Sequence, residues 1–407
     1  MTGGTPLLPP PESGPAGGPV YLDHNATTPV DPRVAAAMEP YLTGHFGNPS
    51  SGHHYGEAPR RALAGARARV AALVGARAGE VVFTGSGSEA NLLALRGTVL
   101  ASGRDRPRVV TQATEHPSVL ETLRALRRLH GVRVTVLPVD GDGLVDPARL
   151  AAALDEDTVL VSVMAANNET GALQPVAELA ALARRHGALF HCDAAQAAGR
   201  IPLDATALGA DLLTVAGHKL YAPKGIAALR VRAGLRPEPV AYGGGQEGGL
   251  RAGTESVALA VALGTAAALA AADLADGAPG RLAALRDRLH RRLDAALPGR
   301  VRLNGPVERR LPTTLNISVD GAPGHALLAA TPGLAASTGS ACHDGDHRPS
   351  PVLTAMGLDG DRALGALRLS LGRGTTPADV ETAADLLVGA ARSARAGLLT
   401  GPVRPFS

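Results

Sequence analysis

The sequence predicts an α/β protein in which a large unit, a mainly parallel sheet with helices on both faces, precedes a smaller α+β unit. Three observations predict it. Short β-rich runs alternate with amphipathic helices from about residue 58 to residue 231. After Gly277 that rhythm gives way to a long helix, a few strands and a final helix. The 407 residues are roughly twice the length of a usual domain, and 45% apolar with 19% charged is a globular composition.

In chain order, residues 1–19 are Pro/Gly-rich, without a basic start or an apolar core, and read as a tail rather than a signal peptide or membrane anchor. Strands are expected at Val81–Thr84, Val109–Thr111, Val132–Leu137, Thr158–Val163, Ala188–Cys192, Leu212–Val215 and Ile226–Val231. Helices fit between several of them, at Glu89–Leu100, Ser118–His130 and Val176–His186. Strand–helix alternation needs crossovers, and crossovers make the sheet parallel and buried on both faces. Val257–Ala272 is a 16-residue apolar run bracketed by Glu255 and Asp273. It is short of the ~20 residues a bilayer span needs and reads as a buried helix. The charged stretch Arg281–Arg292 reads as the solvated face of a helix over Arg281–Ala296. Strands near Thr314–Ser318 and Arg368–Ser370 and a helix over Pro377–Ala394 complete the chain. The domains expected are 20–275, its first residues available to pack on the small unit, then 276–400, and a tail at 401–407.

Charge excludes one class of partner. Forty basic against 37 acidic residues leave +3, too small an excess for a face built to bind nucleic acid. Of the basic residues 38 are Arg; Lys219 and Lys224 are the only lysines, as GC-rich coding tends to produce. A guanidinium cannot form an imine and an amine can, so both lysines are candidates for chemistry. The only cysteines, Cys192 and Cys342, stand 150 positions apart and make no disulfide framework, which implies a reduced, cytoplasmic setting.

Three segments carry the chemistry. In Val81-Val-Phe-Thr-Gly-Ser-Gly-Ser-Glu-Ala-Asn91, Gly85–Ser88 end a strand and open a helix, where free N–H groups and the positive helix end suit a phosphate. The same residues also suit an ordinary N-cap, with Glu89 in the first turn. Asp193 closes a predicted apolar strand, and a carboxylate there needs a cationic partner. Lys219 follows 26 residues on, at the end of the next predicted strand. An imine-forming lysine, a carboxylate able to pair a pyridinium nitrogen and a phosphate cradle are the parts pyridoxal phosphate requires. Taken singly, each also has a structural reading.

In these segments and others the chain resembles the cysteine desulfurase and selenocysteine lyase family of the class V aminotransferase superfamily, the fold type I pyridoxal phosphate enzymes. The matching segments include Tyr21-Leu-Asp-His-Asn-Ala-Thr-Thr-Pro29, Thr84–Asn91, Thr114-Glu-His116, Asn167-Asn-Glu-Thr-Gly171, Asp193-Ala-Ala-Gln196 and Gly217-His-Lys219. Further on come Gly243-Gly-Gly-Gln-Glu247, Arg251-Ala-Gly-Thr254, Gly339-Ser-Ala-Cys342 and Arg368-Leu-Ser-Leu-Gly-Arg373. They run in family order from about residue 20 to 395.

The resemblance implies a role for each position. Lys219 would hold pyridoxal 5'-phosphate as an imine and move the Cα proton, and Asp193 would pair the ring nitrogen. His116 would stack on the ring and serve acid–base steps, with Asn168 and Gln196 near the ring oxygen. Gly87, Ser88 and His218 would bind the phosphate, joined by Thr254 of the neighbouring subunit in a homodimer. Arg368 would grip the substrate carboxylate, assisted by Asn25. Cys342 would take the substrate sulfur as a persulfide and pass it to a protein acceptor.

Cys342 can also be weighed on its own. It lies in a small, polar stretch, Ala335–Ser350, an unusual place for a thiol that generally prefers burial. His343, His347 and Arg348 favour its thiolate, whereas Asp344 and Asp346 oppose it. A metal site built on Cys342, His343 and His347 lacks a paired Cys-x-x-Cys, and none is expected. Cys192, ending an apolar strand, reads as core.

Ala216 departs from the family's commoner Ser and removes one phosphate-binding hydroxyl. Asn-Asn-Glu-Thr-Gly, Asp-Ala-Ala-Gln and the Pro349–Leu353 segment lean towards the selenocysteine lyase branch. The activity implied is conversion of L-cysteine to L-alanine with sulfur transfer. The alternatives are selenocysteine lyase and an inert relative acting as a scaffold.

Overall fold

The computed structural model describes residues 18–338 and 348–395. Its strands are β1 (Val20–Tyr21), β2 (Val81–Thr84), β3 (Arg108–Gln112), β4 (Arg133–Leu137), β5 (Thr158–Ser162) and β6 (Leu189–Asp193). They continue with β7 (Leu212–Ala216), β8 (Ala227–Val231), β9 (Val301–Leu303), β10 (Thr314–Val319), β11 (Leu334–Ala335) and β12 (Ala366–Ser370). Seven of these make one sheet in the order β2–β8–β7–β6–β5–β3–β4, in which only β8 runs antiparallel to its neighbours.

Two-residue periodicity divides the apolar side chains of these strands between two faces. Val82, Val109, Leu160 and Leu212 face the helices Gly87–Ala101 and Pro117–His130. Phe83, Val110, Val161, Phe190, Cys192 and Leu213 face the opposite side, under His54–Leu73, Val176–Arg185 and Val257–Ala275. Burying a side chain the size of Phe190 or Leu213 stabilises the fold by roughly 1.5–3 kcal/mol. This is the helix-covered, mainly parallel sheet that the alternating pattern predicts.

Helix Val257–Ala275 runs three residues beyond the apolar segment expected from sequence. It is long and apolar enough to cross a membrane by length and composition, yet 56% of its most apolar window is buried inside the protein. It packs on helix His54–Leu73 at Gly264, where a Cβ would stand 2.5 Å from the Ala66 Cα. No other residue permits that approach.

The second core gathers Leu285 and Leu289 of helix Ala278–Ala296, Ile317 of β10, Leu369 of β12, and Val380 and Leu387 of helix Pro377–Arg395. Its sheet is antiparallel, in the order β12–β10–β9. Leu22, fully buried, belongs to this core, because β1 pairs in parallel with β11 and Asp23 bridges to Ser370. The chain then crosses to the large sheet, where the Thr28 amide and hydroxyl both donate to the His218 carbonyl at 2.9 Å. Residues 20–28 therefore stitch the two units together beside the carboxyl ends of the large sheet's strands.

Candidate active site

A cavity of about 330 Å³ opens where β2, β3, β5, β6 and β7 end, lined by Ser88, His116, Asn168, Asp193, His218 and Lys219 among others. Open parallel sheets bind ligands at this edge, and the volume is typical of a small-molecule site.

Asp193 is the last residue of β6, paired in register with Thr214 of β7. Alternation turns Cys192 into the core and leaves Asp193 at the cavity. Burial, with the charges of Asp193 and Glu115, pushes the Cys192 thiol well above its usual range, so it stays protonated. The Asp193 carboxylate accepts from Asn91 Nδ2 at 2.7 Å and from the Ala195 amide at 3.0 Å. Asn91 also donates to Ser118 Oγ at 2.8 Å. Ser118 Oγ lies 2.8 Å from His116 Nδ1, which also accepts from the Ser118 amide at 3.1 Å. His116 thus caps helix Pro117–His130 through Nδ1 and carries its proton on Nε2. Burial first, then the Lys219 charge, lower its pKa against the opposing pull of Asp193.

Lys219 ends a single helical turn, Gly217–Lys219, directly after β7. Its amine donates to the Asn25 carbonyl. Burial, followed by the charges of Arg200 and Arg368, brings it down to about 7 in spite of Asp193 and Asp23. A large share of this amine is therefore a free base at neutral pH. Lys224 lines the same cavity, so both lysines of the chain face one space.

At the end of β2 both sequence readings hold together. Ser86 is the N-cap of helix Gly87–Ala101, its hydroxyl accepting from the Glu89 amide. The Glu89 carboxylate turns back to the Gly85 amide at 2.8 Å and pairs with Arg251 at 2.9 Å. The amides of Gly87 and Ser88, on the cavity wall, have no partner among the described residues, as the first N–H groups of a helix do. His218 is held by Thr27 Oγ1, 3.2 Å from its Nδ1, and burial with nearby Lys219 and Lys224 lowers it to about 4. Ala216 also lines the wall.

Arg368, on β12, reaches the site from the small unit. It pairs with Asp23 at 2.8 Å and donates to the Asn168 carbonyl at 3.2 Å, while its buried Nε has no partner among the described residues. Asn25 donates to the same Asn168 carbonyl at 3.1 Å and to Thr314 Oγ1 at 3.0 Å. Gln196 Nε2 donates to the Asn25 carbonyl at 3.0 Å. Arg368 and Asn25 thus stand behind the wall that Asn168 and Gln196 line. Thr254 is exposed and apart from the lining residues. Cys342 lies outside the described residues.

Sequence reasoning gave no role to Asn91, Ser118, Glu115 or Arg200. Asn91 and Glu115 lie inside quoted motifs, and the buried surroundings of Glu115 between strand and turn were the available signal. Its Oε1 accepts from Gln112 at 2.8 Å and from the Met164 amide at 2.6 Å, and burial first, then the Asp193 charge, raise it to about 8.

The family model for class-V aminotransferases matches residues 20–382. A cysteine desulfurase IscS of Anaeromyxobacter sp. (strain Fw109-5) is 44% identical over 380 residues, 93% of each chain. The solved structure of a NifS-like protein superposes with a TM-score of 0.85 at 33% identity, covering 91% of this chain and 98% of that one. SspA, solved in complex with cysteine, gives 0.76 at 32% identity, covering 86% and 98%.

Proposed function

The chain belongs to the class-V aminotransferase family, and from that premise we infer that it is a cysteine desulfurase. It converts L-cysteine to L-alanine and takes the sulfur onto Cys342 as a persulfide for an acceptor protein. The observation that carries this reading is the convergence of Lys219, Asp193 and the Gly87 and Ser88 amides on one cavity.

These residues fit pyridoxal phosphate, the cofactor of the family. An amine brought down to about 7 by burial and two guanidinium groups is a competent imine-forming group. A carboxylate accepting two N–H bonds has an oxygen lone pair left for a ring N–H. Unpartnered amides at a helix N-terminus suit a phosphate. When bound, the cofactor supplies the electron sink for the pair left on the substrate Cα.

Around that sink the chain's own residues divide the work. Lys219 would hold the cofactor and carry the Cα proton on its amine. Asp193 would keep the ring nitrogen protonated. Gly87, Ser88 and His218 would hold the phosphate, with Thr254 supplied by the second subunit of a homodimer. His116, its Nε2 bearing a proton, would donate near the substrate sulfur, and Asn168 and Gln196 would orient the ring. Arg368, whose Nε has no partner among the described residues, would grip the substrate carboxylate, with Asn25 steadying the same wall. Cys342 as thiolate would attack the substrate sulfur, forming the S–S bond as the substrate Cβ–S bond breaks, and the electron pair left on Cβ would take up a proton to complete the methyl group of alanine. A reducing, cytoplasmic setting suits a free thiol in that role.

The test is full-length protein loaded with pyridoxal phosphate. Borohydride reduction should fix the cofactor mass on Lys219, and L-cysteine should release alanine while Cys342 gains one sulfur atom. Cofactor mass on Lys224 instead would overturn the assignment. Alanine release from L-selenocysteine but not L-cysteine in Cys342→Ser would move the reading to selenocysteine lyase.

A further inference from the structure

Lys219 is surrounded by charged and titratable groups from several elements: Asp193 at the end of β6, Arg368 on β12, His116 and His218 on the cavity wall, Asp23 on the crossing segment, and Arg200. Arg200 differs from the others in what it grips. Its guanidinium donates to Asn25 Oδ1 at 2.8 Å, to the His24 carbonyl at 3.0 Å, and to Gln196 Oε1. The carbonyl of Asn25 accepts the Lys219 amine, and it also accepts Gln196 Nε2 at 3.0 Å. Arg200 therefore holds, from 176 and 175 positions away, the backbone and side chain of the segment against which the lysine rests. It holds Gln196, the other donor to that carbonyl, as well.

We propose that Arg200 is a positioning residue for Lys219, its planar guanidinium gripping the groups that meet the lysine amine and opposing a second positive charge beside it. The fork geometry matters, because three acceptors on two segments must be reached from one rigid group. The charge matters too. Next to burial, Arg200 is the foremost cause of the lowered lysine, and its own pKa comes down to about 10, chiefly through burial. The neutral amine then stays on the Asn25 carbonyl whenever no cofactor or substrate carbon occupies it. The inference rests on Lys219 being the cofactor lysine, and its test needs no cofactor.

The composition of the chain supplies the measurement. With only two lysines, trace acetylation of the cofactor-free, full-length protein resolves Lys219 by mass spectrometry, with Lys224 as the internal standard. In Arg200→Gln, the pH profile of Lys219 acetylation should move upwards, so that at pH 7 labelling relative to Lys224 falls roughly fivefold, the loss of free base when a group at about 7 rises by one pKa unit. Arg200→Lys should restore most of the profile, because it keeps the charge. An Arg200→Gln profile superimposable on that of the unmodified chain overturns the proposal. Equal displacement in both variants also overturns it, since the charge that Arg200 places beside the lysine would then contribute nothing. Should Arg200→Gln not fold, the Arg200→Lys profile decides, and displacement by as much as a full unit sinks the proposal. Cofactor mass on a residue other than Lys219 would defeat the functional reading while leaving this labelling result interpretable.

Discussion

The two sides of the cavity are built differently. On the large-sheet side, Asp193, Asn91, Ser118 and His116 form a continuous hydrogen-bonded chain anchored at strand ends and helix starts. On the small-unit side, Arg368 stands on β12 with one carboxylate and one carbonyl for partners and a buried Nε that has neither. The hydrogen-bonded chain on the large-sheet side leaves one buried acceptor, Asn91 Oδ1, without a partner among the described residues, yet its four side chains fix one another and are preorganised for a resident group. A wall with an unmet buried donor has capacity for an anion that comes and goes, because leaving such a donor unpaired costs about 1–3 kcal/mol.

The severest way to break this comparison is at the large-sheet side. Lys219→Arg keeps the charge and removes the imine-forming amine, so alanine production should fall by more than the ~10²–10⁴-fold that proton transfer alone contributes. The reduced cofactor adduct should vanish as well. Activity within tenfold of the unmodified chain would mean that the amine is not the essential group.

Within the same wall, Asp193→Ala should cost ~10²–10³ in kcat, the scale of removing one preorganised electrostatic group. Ser88→Ala leaves the backbone amide in place and should cost only about 1 kcal/mol, a few-fold in cofactor affinity. Steady-state kinetics and cofactor titration of the two variants compare them directly. Equal losses would contradict the roles given to the two positions.

At the small-unit wall the expected signature changes from kcat to KM. Arg368→Gln should raise KM for L-cysteine roughly 10–100-fold with kcat little altered, since hydrogen bonds to a charged group are worth ~1.5–3 kcal/mol. Arg368→Lys should fall between, keeping the charge without the fork. A fall in kcat at unchanged KM would place Arg368 with the reacting atoms instead.

Legibility in the sequence followed the range of the interactions. All seven strands of the large sheet were readable, because β-rich runs such as Leu212–Val215 carry their own periodicity. Lys219 stood out because lysine is scarce, and Asp193 because a charge closing an apolar strand is locally conspicuous; both line the cavity. Arg200 was not readable: it looks like one arginine among 38, and its partners His24 and Asn25 lie some 175 residues away. Asn91 sits within a recognisable segment, but only the fold shows that it joins Asp193 to Ser118. The pairing of β1 with β11 depends on a two-residue strand, too short to carry a pattern.

The smallest effect sharpens the large-sheet side by testing stability at a residue beside the chemistry. Glu115 is held up to about 8, against an ordinary value of 4.5, chiefly by burial and next by the Asp193 charge, with the Met164 amide and Gln112 pulling the other way. Between those two pH values the unfolded chain has released this proton and the folded chain retains it. The folded state binds more protons there, so this group's contribution to stability falls as pH rises from about 5 to 8. Glu115→Gln keeps an acceptor for Gln112 and the Met164 amide and cannot ionise. Its urea midpoint should therefore gain on that of the unmodified chain between pH 5 and pH 8. Comparing the two pH values cancels the fixed cost of the amide that Gln places where Glu115 Oε2 has no partner among the described residues. Parallel pH profiles would show that Glu115 ionises within the fold and that the Asp193 wall carries one more negative charge than described.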